Sequence, residues 1–304
     1  MAADEFAFLD RRFSKCINAT ARVYRLFEGC AWAEGPAWSP GWRSLVWSDI
    51  PNDRQLRWDE SSGSVGVFRH PAGHTNGNTV DRQGRLLSCE HGGRRVSRTE
   101  FDGTVITIAD RYEGKRLNSP NDVVVKSDDS VWFTDPAYGI DTDYEGHKSE
   151  SEIGACHVYW VDPASGEVRI AADDFVRPNG IAFSPDESRL YVSDTGASHV
   201  PDGPRHIRVF DVGADGKLKG GNVFATCTAG FFDGFRFDEA GRLWTSAGDG
   251  VHCYDPDGTL IGKVLVPETT ANVVFGGPKR NRLFICGTTS LYSVMVMVNG
   301  AKTY

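Results

Sequence analysis

Two carboxylates and four carboxamides, Glu34, Asn76, Asn121, Asn179, Asp233 and Asn272, recur along this 304-residue chain, each opening a short apolar segment. The units that they open read EGPAWSPGWRSLVWSD, NGNTVDRQGRLLSCE, NDVVVKSDDSVWFTD, NGIAFSPDESRLYVSD, DGFRFDEAGRLWTSA and NVVFGGPKRNRLFIC. In each, an apolar strand runs into a Gly/Asp/Pro turn and then into a second strand. Equivalent positions in equivalent units should stand at equivalent places around a common axis. Six oxygen-bearing side chains are therefore expected to face one central space, and a ring of oxygens suits a metal ion.

Glu34, Asn121, Asn179 and Asp233 stand out because Pro or Gly flanks each of them, which lets the backbone approach a shared centre. Asn-Gly, Asp-Gly and Pro-Asn are also ordinary turn dipeptides, but four of them at one repeat position make a candidate metal site. Its donors are two carboxylates and two amide carbonyls, with no thiolate or imidazole. That set suits Ca²⁺, Mg²⁺ or Mn²⁺ better than structural Zn²⁺.

The elements that position these residues follow from what comes after each hairpin. Most units continue into two further alternating segments, such as residues 94–101 then 104–109, or 157–161 then 167–172. Four antiparallel strands per unit, repeated at roughly 40 to 60 residues, predict an all-β, six-bladed β-propeller over residues 1–304 as one domain. The sixth unit runs out of chain one strand short, and residues 21–27 supply an alternating strand to fill the gap, so the ring is expected to be closed by its N-terminal strand. Residues 1–20 read as a peripheral arm with a short helical turn around Phe6 to Phe13.

Composition narrows the function classes. A net charge of −8 and the absence of any basic run argue against nucleic acid. No segment has the ~20 apolar residues of a membrane-spanning helix. Asp4 and Glu5 at the start do not make a signal peptide. Seven scattered cysteines without a CxxC pair read as reduced thiols of a cytoplasmic protein. A monomer or a homodimer is expected. There is no G-x-S-x-G elbow for a serine hydrolase.

Several spaced motifs occur in order: Trp32-Ala-Glu34-Gly-Pro-Ala-Trp38, Ser119-Pro-Asn121-Asp122, Trp132-Phe-Thr-Asp135-Pro, Arg177-Pro-Asn179-Gly180-Ile, Leu190-Tyr-Val-Ser-Asp194-Thr and Asp233-Gly-Phe. Together, over roughly residues 21–295, they resemble the gluconolactonase, senescence-marker-protein and luciferin-regenerating-enzyme family, the bacterial gluconolactonases most. The resemblance implies one catalytic divalent cation on the propeller axis, Ca²⁺ foremost with Zn²⁺, Mg²⁺ or Mn²⁺ as alternatives. Glu34, Asn179 and Asp233 would hold it, with Asn121 in or near the shell. The implied reaction is hydrolysis of a sugar lactone such as glucono-1,5-lactone. Asp233 would be ligand and general base, and Asn121 would orient the substrate or its oxyanion. The chain departs from the animal members at Ser119, where those carry Arg.

Other expectations come from the repeat itself. His74 and Asn76 should stand near the channel mouth and hydrogen-bond a polyol. Asp49, Glu90, Asp135 and Asp194 close the second strands and suggest a structural job, such as accepting backbone N–H bonds. Asp135 and Tyr138, in Asp135-Pro-Ala-Tyr138, are also candidates for substrate contact. Asp141-Thr-Asp143-Tyr-Glu145-Gly146 with Glu152 has nearly the spacing of an EF-hand loop, but lacks flanking helices and reads as a long loop over one face. A phosphotriester or aryl esterase using the same site, and a non-catalytic binding propeller with a structural ion, are the alternative functions.

Overall fold

The computed structural model describes residues 5–213 and 215–302. Six antiparallel sheets form the blades of a β-propeller. Blade 1 runs through Ala33–Ser39, Ser44–Asp49, Arg54–Asp59 and Val65–Arg69. Blade 2 begins at Thr75–Val80, blade 3 at Val123–Val125, blade 4 at Pro178–Phe183, blade 5 at Phe235–Phe237 and blade 6 at Thr270–Gly276. The inner strands are buried almost throughout while the outermost are partly exposed along their length, as in Ala33–Ser39 against Val65–Arg69. This gradient explains why the outer strands carry more charged residues than the inner ones.

Blade 6 is completed as expected. Val23–Glu28 lies antiparallel to Ser290–Met295, with Val23 opposite Val294 and Tyr24 opposite Ser293. The expected helical turn around Phe6 to Phe13 is not there. Phe6–Phe8 is a strand, and it pairs with Leu260–Leu265 at the outer edge of blade 5. A 3-10 turn follows only at Phe13–Lys15, and Phe13 is fully buried against Trp244 and Ile261, so this part of the N-terminal stretch belongs to the core. Residues 1–4 of the expected arm lie outside the described residues.

Aromatic pairs join neighbouring blades: Trp132 with Phe183 at 5.6 Å, Tyr191 with Phe237 at 4.8 Å, Trp244 with Phe275 at 5.8 Å and Trp38 with Phe284 at 5.7 Å. Edge-to-face and offset rings fill the wedge that opens between radially splayed sheets. All seven cysteines are free thiols. Among the described residues, no helix is long and apolar enough to cross a membrane.

Nearest the axis, adjacent blades touch backbone to backbone. A Cβ on Gly35 would collide with the Asn76 carbonyl, one on Gly77 with the Asn121 carbonyl, one on Gly180 with the Asp233 carbonyl and one on Gly234 with the Asn272 side chain. The glycine that follows four of the openers is thus where each blade meets the next opener, and only a residue without a side chain permits that approach. Hydroxyls on the second strands fix the same contacts. Ser48, Thr134 and Ser193 donate to the carbonyls of Asn76, Asn179 and Asp233 at 2.7, 2.6 and 3.0 Å.

Candidate active site

Each opener sits where the regular ladder is interrupted. Register shifts separate Glu34 from Ala37, Thr75 from Asn78, Pro178 from Ile181 and Thr270 from Asn272. In blades 3 and 5 the first strand starts only at Val123 and Phe235, two residues past Asn121 and Asp233. Such interruptions re-aim a side chain out of the pleat. Here they turn five of the six openers, Glu34, Asn76, Asn121, Asn179 and Asp233, into one cavity of about 390 Å³.

The sixth is the exception. Asn272 lies behind Glu34, donating through Nδ2 to Glu34 Oε2 at 2.9 Å and accepting the Val273 N–H on Oδ1 at 2.8 Å. Both ends of its amide are engaged, so it orients a neighbour instead of facing a ligand. The Gly35 N–H also donates to Glu34 Oε2.

What remains unpaired is informative. Glu34 Oε1 and Asn179 Oδ1 are buried without a hydrogen-bond partner, and both residues line the cavity. A buried oxygen with no donor is costly unless something absent from the protein atoms satisfies it. The Asp233 carboxylate joins them, its backbone clamped by Ser246 Oγ on N–H (2.9 Å) and by Ser193 Oγ on the carbonyl. Burial pushes Glu34 up to about 8. Burial first, then the charge of Glu34, raises Asp233 well above the ordinary carboxylate range. Two confined carboxylates, Glu34 with a free oxygen, and an adjacent amide carbonyl fit one hard divalent cation. Among the described residues, no three His, Cys, Asp or Glu side chains converge as a metal cluster, so amides would have to complete the shell.

The walls are mixed. Tyr138, on the short helix Tyr138–Asp141, lines the cavity with its hydroxyl unpartnered, and burial raises that hydroxyl's pKa, keeping it a donor. Thr270 Oγ1 is a second unpartnered hydroxyl. Trp32 and Phe231 add apolar surface. Asn76 Nδ2 lies 3.3 Å from Nε2 of His91, a fully buried imidazole that desolvation lowers to about 3 and so keeps neutral.

Two expected contacts are not in the cavity. His74 adopts a left-handed backbone (φ 50°), its ring Nδ1 is 2.9 Å from the Ile50 carbonyl, and it packs edge-on to His147 at 5.3 Å. Asp135 is fully buried, and its two oxygens accept the N–H groups of Asn118 and Ser119, both at 2.8 Å. A saturated carboxylate behind the wall cannot reach a substrate.

The loop with EF-hand-like spacing is also different from a calcium loop. Asp141 pairs with Arg177 at 2.7 Å, Asp143 accepts the Lys148 N–H at 2.8 Å, and Glu152 accepts the Arg116 N–H at 2.8 Å. The loop folds back on the short helix, His147 N–H to the Gly139 carbonyl and Ser149 N–H to the Ile140 carbonyl, both at 3.0 Å. This brings Glu145 into the cavity wall, where burial raises its carboxyl to about 7. Thr195, Ser198 and His199, in the loop after blade 4's second strand, complete that side. Repeat logic does not find these residues, because both loops are insertions without counterparts in the other blades. The signals in the sequence are the acidic spacing of the segment that carries Glu145 and its length, which mark a long loop over one face.

Residues 32–289 match the family model described as the SMP-30/Gluconolactonase/LRE-like region. A gluconolactonase of Zymomonas mobilis subsp. mobilis is 29% identical, covering 95% of this chain and 85% of its own. A pentonolactonase of Haloferax volcanii is 31% identical over 84% of this chain and 81% of its own. The solved structure of a gluconolactonase from Xanthomonas campestris superposes with a TM-score of 0.90 at 39% identity, covering 96% of this chain and 95% of that one. With five openers gathered into one axial cavity and a family match over most of its length, this chain belongs to the SMP-30/gluconolactonase/LRE-like family.

Proposed function

We propose that this protein is a divalent-cation-dependent lactonase that hydrolyses a polyhydroxylated cyclic ester of the glucono-1,5-lactone type to its aldonic acid. The observation that carries the reading is the pair of buried, unpartnered oxygens, Glu34 Oε1 and Asn179 Oδ1, beside Asp233 at the head of one cavity. Glu34, Asn179 and Asp233 would hold the cation, with Asn121 at the edge of its shell. When bound, a divalent ion polarises a lactone carbonyl and lowers the pKa of water, and Ca²⁺ matches the hard donor set.

The protein's own groups divide the remaining work. Asp233, fixed through its backbone by Ser246 and Ser193, takes a proton from the attacking water as its oxygen bonds to the carbonyl carbon. The ring C–O bond then breaks, and that proton returns to the leaving alkoxide. Asn121 presents its carboxamide to the developing oxyanion. Tyr138 and Asn76 offer hydrogen bonds to ring hydroxyls, the first as a donor held protonated. Trp32 and Phe231 exclude water from the ring faces.

The test is a pH-stat assay of glucono-1,5-lactone on protein stripped with EDTA and then given Ca²⁺, Zn²⁺, Mg²⁺ or Mn²⁺ in turn. Turnover is expected to vanish on stripping and return with one ion. Full activity in metal-free protein would refute the cation's role, and inactivity with every ion bound would refute the lactonase reading.

A further inference from the structure

Glu145 adds a third carboxylate to a cavity already holding Glu34 and Asp233, and among the described residues no Lys or Arg lines it. Two guanidinium groups approach the walls, Arg177 over the Tyr138 ring at 5.3 Å and Arg205 over Phe231 at 5.8 Å, and neither lines the cavity. Arg177 is moreover committed to Asp141 at 2.7 Å. The imidazole facing Glu145, His91 with Nδ1 at 3.7 Å, is fully buried, a setting that disfavours its charged form. His199 lines the cavity, and its Nε2 is 3.8 Å from Asp141. The three cavity carboxylates do not converge as a single metal cluster. One divalent cation between Glu34 and Asp233 would balance those two and leave Glu145 uncompensated.

We propose that Glu145 is the specificity-determining residue of this cavity: its carboxylate accepts a hydroxyl of a neutral polyhydroxy lactone and repels lactones carrying a phosphate, sulfonate or carboxylate substituent. This deepens the lactonase reading and rests on it. The orienting frame is in place, since the loop is pinned to the helix by His147 and Ser149 and its side chain is only 26% exposed. Two like charges about 6 Å apart at an effective dielectric of about 20 repel by a factor of roughly 100 in affinity, but a carboxyl that burial raises to about 7 can take up a proton instead, which limits the loss to about 10-fold at pH 8. A neutral substrate instead gains a charge-assisted hydrogen bond.

The experiment compares kcat/KM for glucono-1,5-lactone and 6-phosphoglucono-1,5-lactone in the metal-replete wild type, Glu145→Gln, Glu145→Asp and, on the same loop, Glu150→Gln. At pH 8 the wild type is expected to favour the neutral lactone by about 10-fold. Glu145→Gln should remove most of that preference, mainly through KM, whereas Glu145→Asp and Glu150→Gln keep it. Equal turnover of both lactones by the wild type, or an unchanged ratio in a folded Glu145→Gln variant, overturns the proposal. Loss of bound metal in Glu145→Gln, read by elemental analysis, also overturns it by making Glu145 a ligand. Calorimetric titration with glucitol and glucitol 6-phosphate reads the same discrimination without turnover. Failure of the lactonase reading and failure of the charge filter therefore give different results.

Discussion

Carboxylates occupy two repeated positions in these blades, the start of the inner strand and the end of the second strand, and their surroundings are opposite. At the strand ends every oxygen is used. Asp49 accepts the N–H groups of Ala31 and Trp32 on one oxygen and Asn52 and Arg54 on the other. Asp194 accepts those of Val176, Arg177 and Gly196, and Glu90 is held by Arg69, Arg95 and Ser97. At the strand starts, Glu34 keeps an oxygen free, and Asp233 faces the cavity beside Asn179, held through its backbone by Ser246. Glu34 is as buried as Asp49, Glu90 and Asp194, so burial does not separate the two positions. The separating property is whether local donors saturate the oxygens: a saturated carboxylate holds a loop in place, and an unsaturated one is available to a ligand.

The contrast can be broken from either side. Asp233→Asn should lower kcat by at least about 10³-fold, as expected for loss of a general base and a charged ligand, with the melting temperature unchanged or raised because a buried charge is gone. Steady-state kinetics beside calorimetry decides this, and an active Asp233→Asn enzyme would dissolve the distinction. Asp194→Ala should do the reverse. Stranding three backbone N–H groups is expected to cost about 2–4 kcal/mol in urea unfolding while kcat of the folded enzyme stays within about threefold. Gly180→Ala sharpens the comparison, because its Cβ meets the Asp233 carbonyl and shifts a ligand without removing it. A loss of about 10- to 100-fold in kcat/KM is expected together with a lower melting temperature, because two backbones must move apart.

The smallest effect concerns pH. His91 is lowered to about 3 from 6.5 by burial, with Glu145 and His74 as its charged or titratable neighbours. Between those values the unfolded chain binds the proton and the native protein does not. Its contribution to stability is therefore complete above pH 6.5 and is lost as the pH falls toward 3. Unfolding free energies of the wild type and His91→Gln at pH 7.5 and 5 should converge by about 2 kcal/mol at the lower pH. Parallel curves would show that His91 takes up its proton in the fold as readily as in the unfolded chain.

The six units were legible because the same turn chemistry and the same opener recur, and the closing strand was legible because blade 6 lacks a strand that residues 21–27 could provide. Phe6–Phe8 was misread because three residues carry no period. Its strand character comes from a partner edge, Leu260–Leu265, far away in the chain. His74 shows the limit of repeat logic, which places a backbone near the mouth but cannot foresee the left-handed turn that sends the ring to Ile50. Asp135 carries two expectations, and the backbone-accepting one is what the geometry displays. Glu145 was hidden by its loop, since an insertion has no sister unit against which its side chain can be placed.

Pairing Val23–Glu28 with Ser290–Met295 also has a consequence for how the chain comes off the ribosome. The first of these strands emerges early and must wait for nearly the whole chain to be made, on the order of tens of seconds at 5–20 residues per second. During that interval blade 1 can form with no sixth blade beside it, leaving Trp38 without its partner Phe284. The Phe6–Phe8 strand, whose partner in blade 5 appears sooner, can dock first and tether the waiting segment close to where the last strand will arrive. The stretch ahead of the first blade would then act as a guide for assembly before it acts as a clasp.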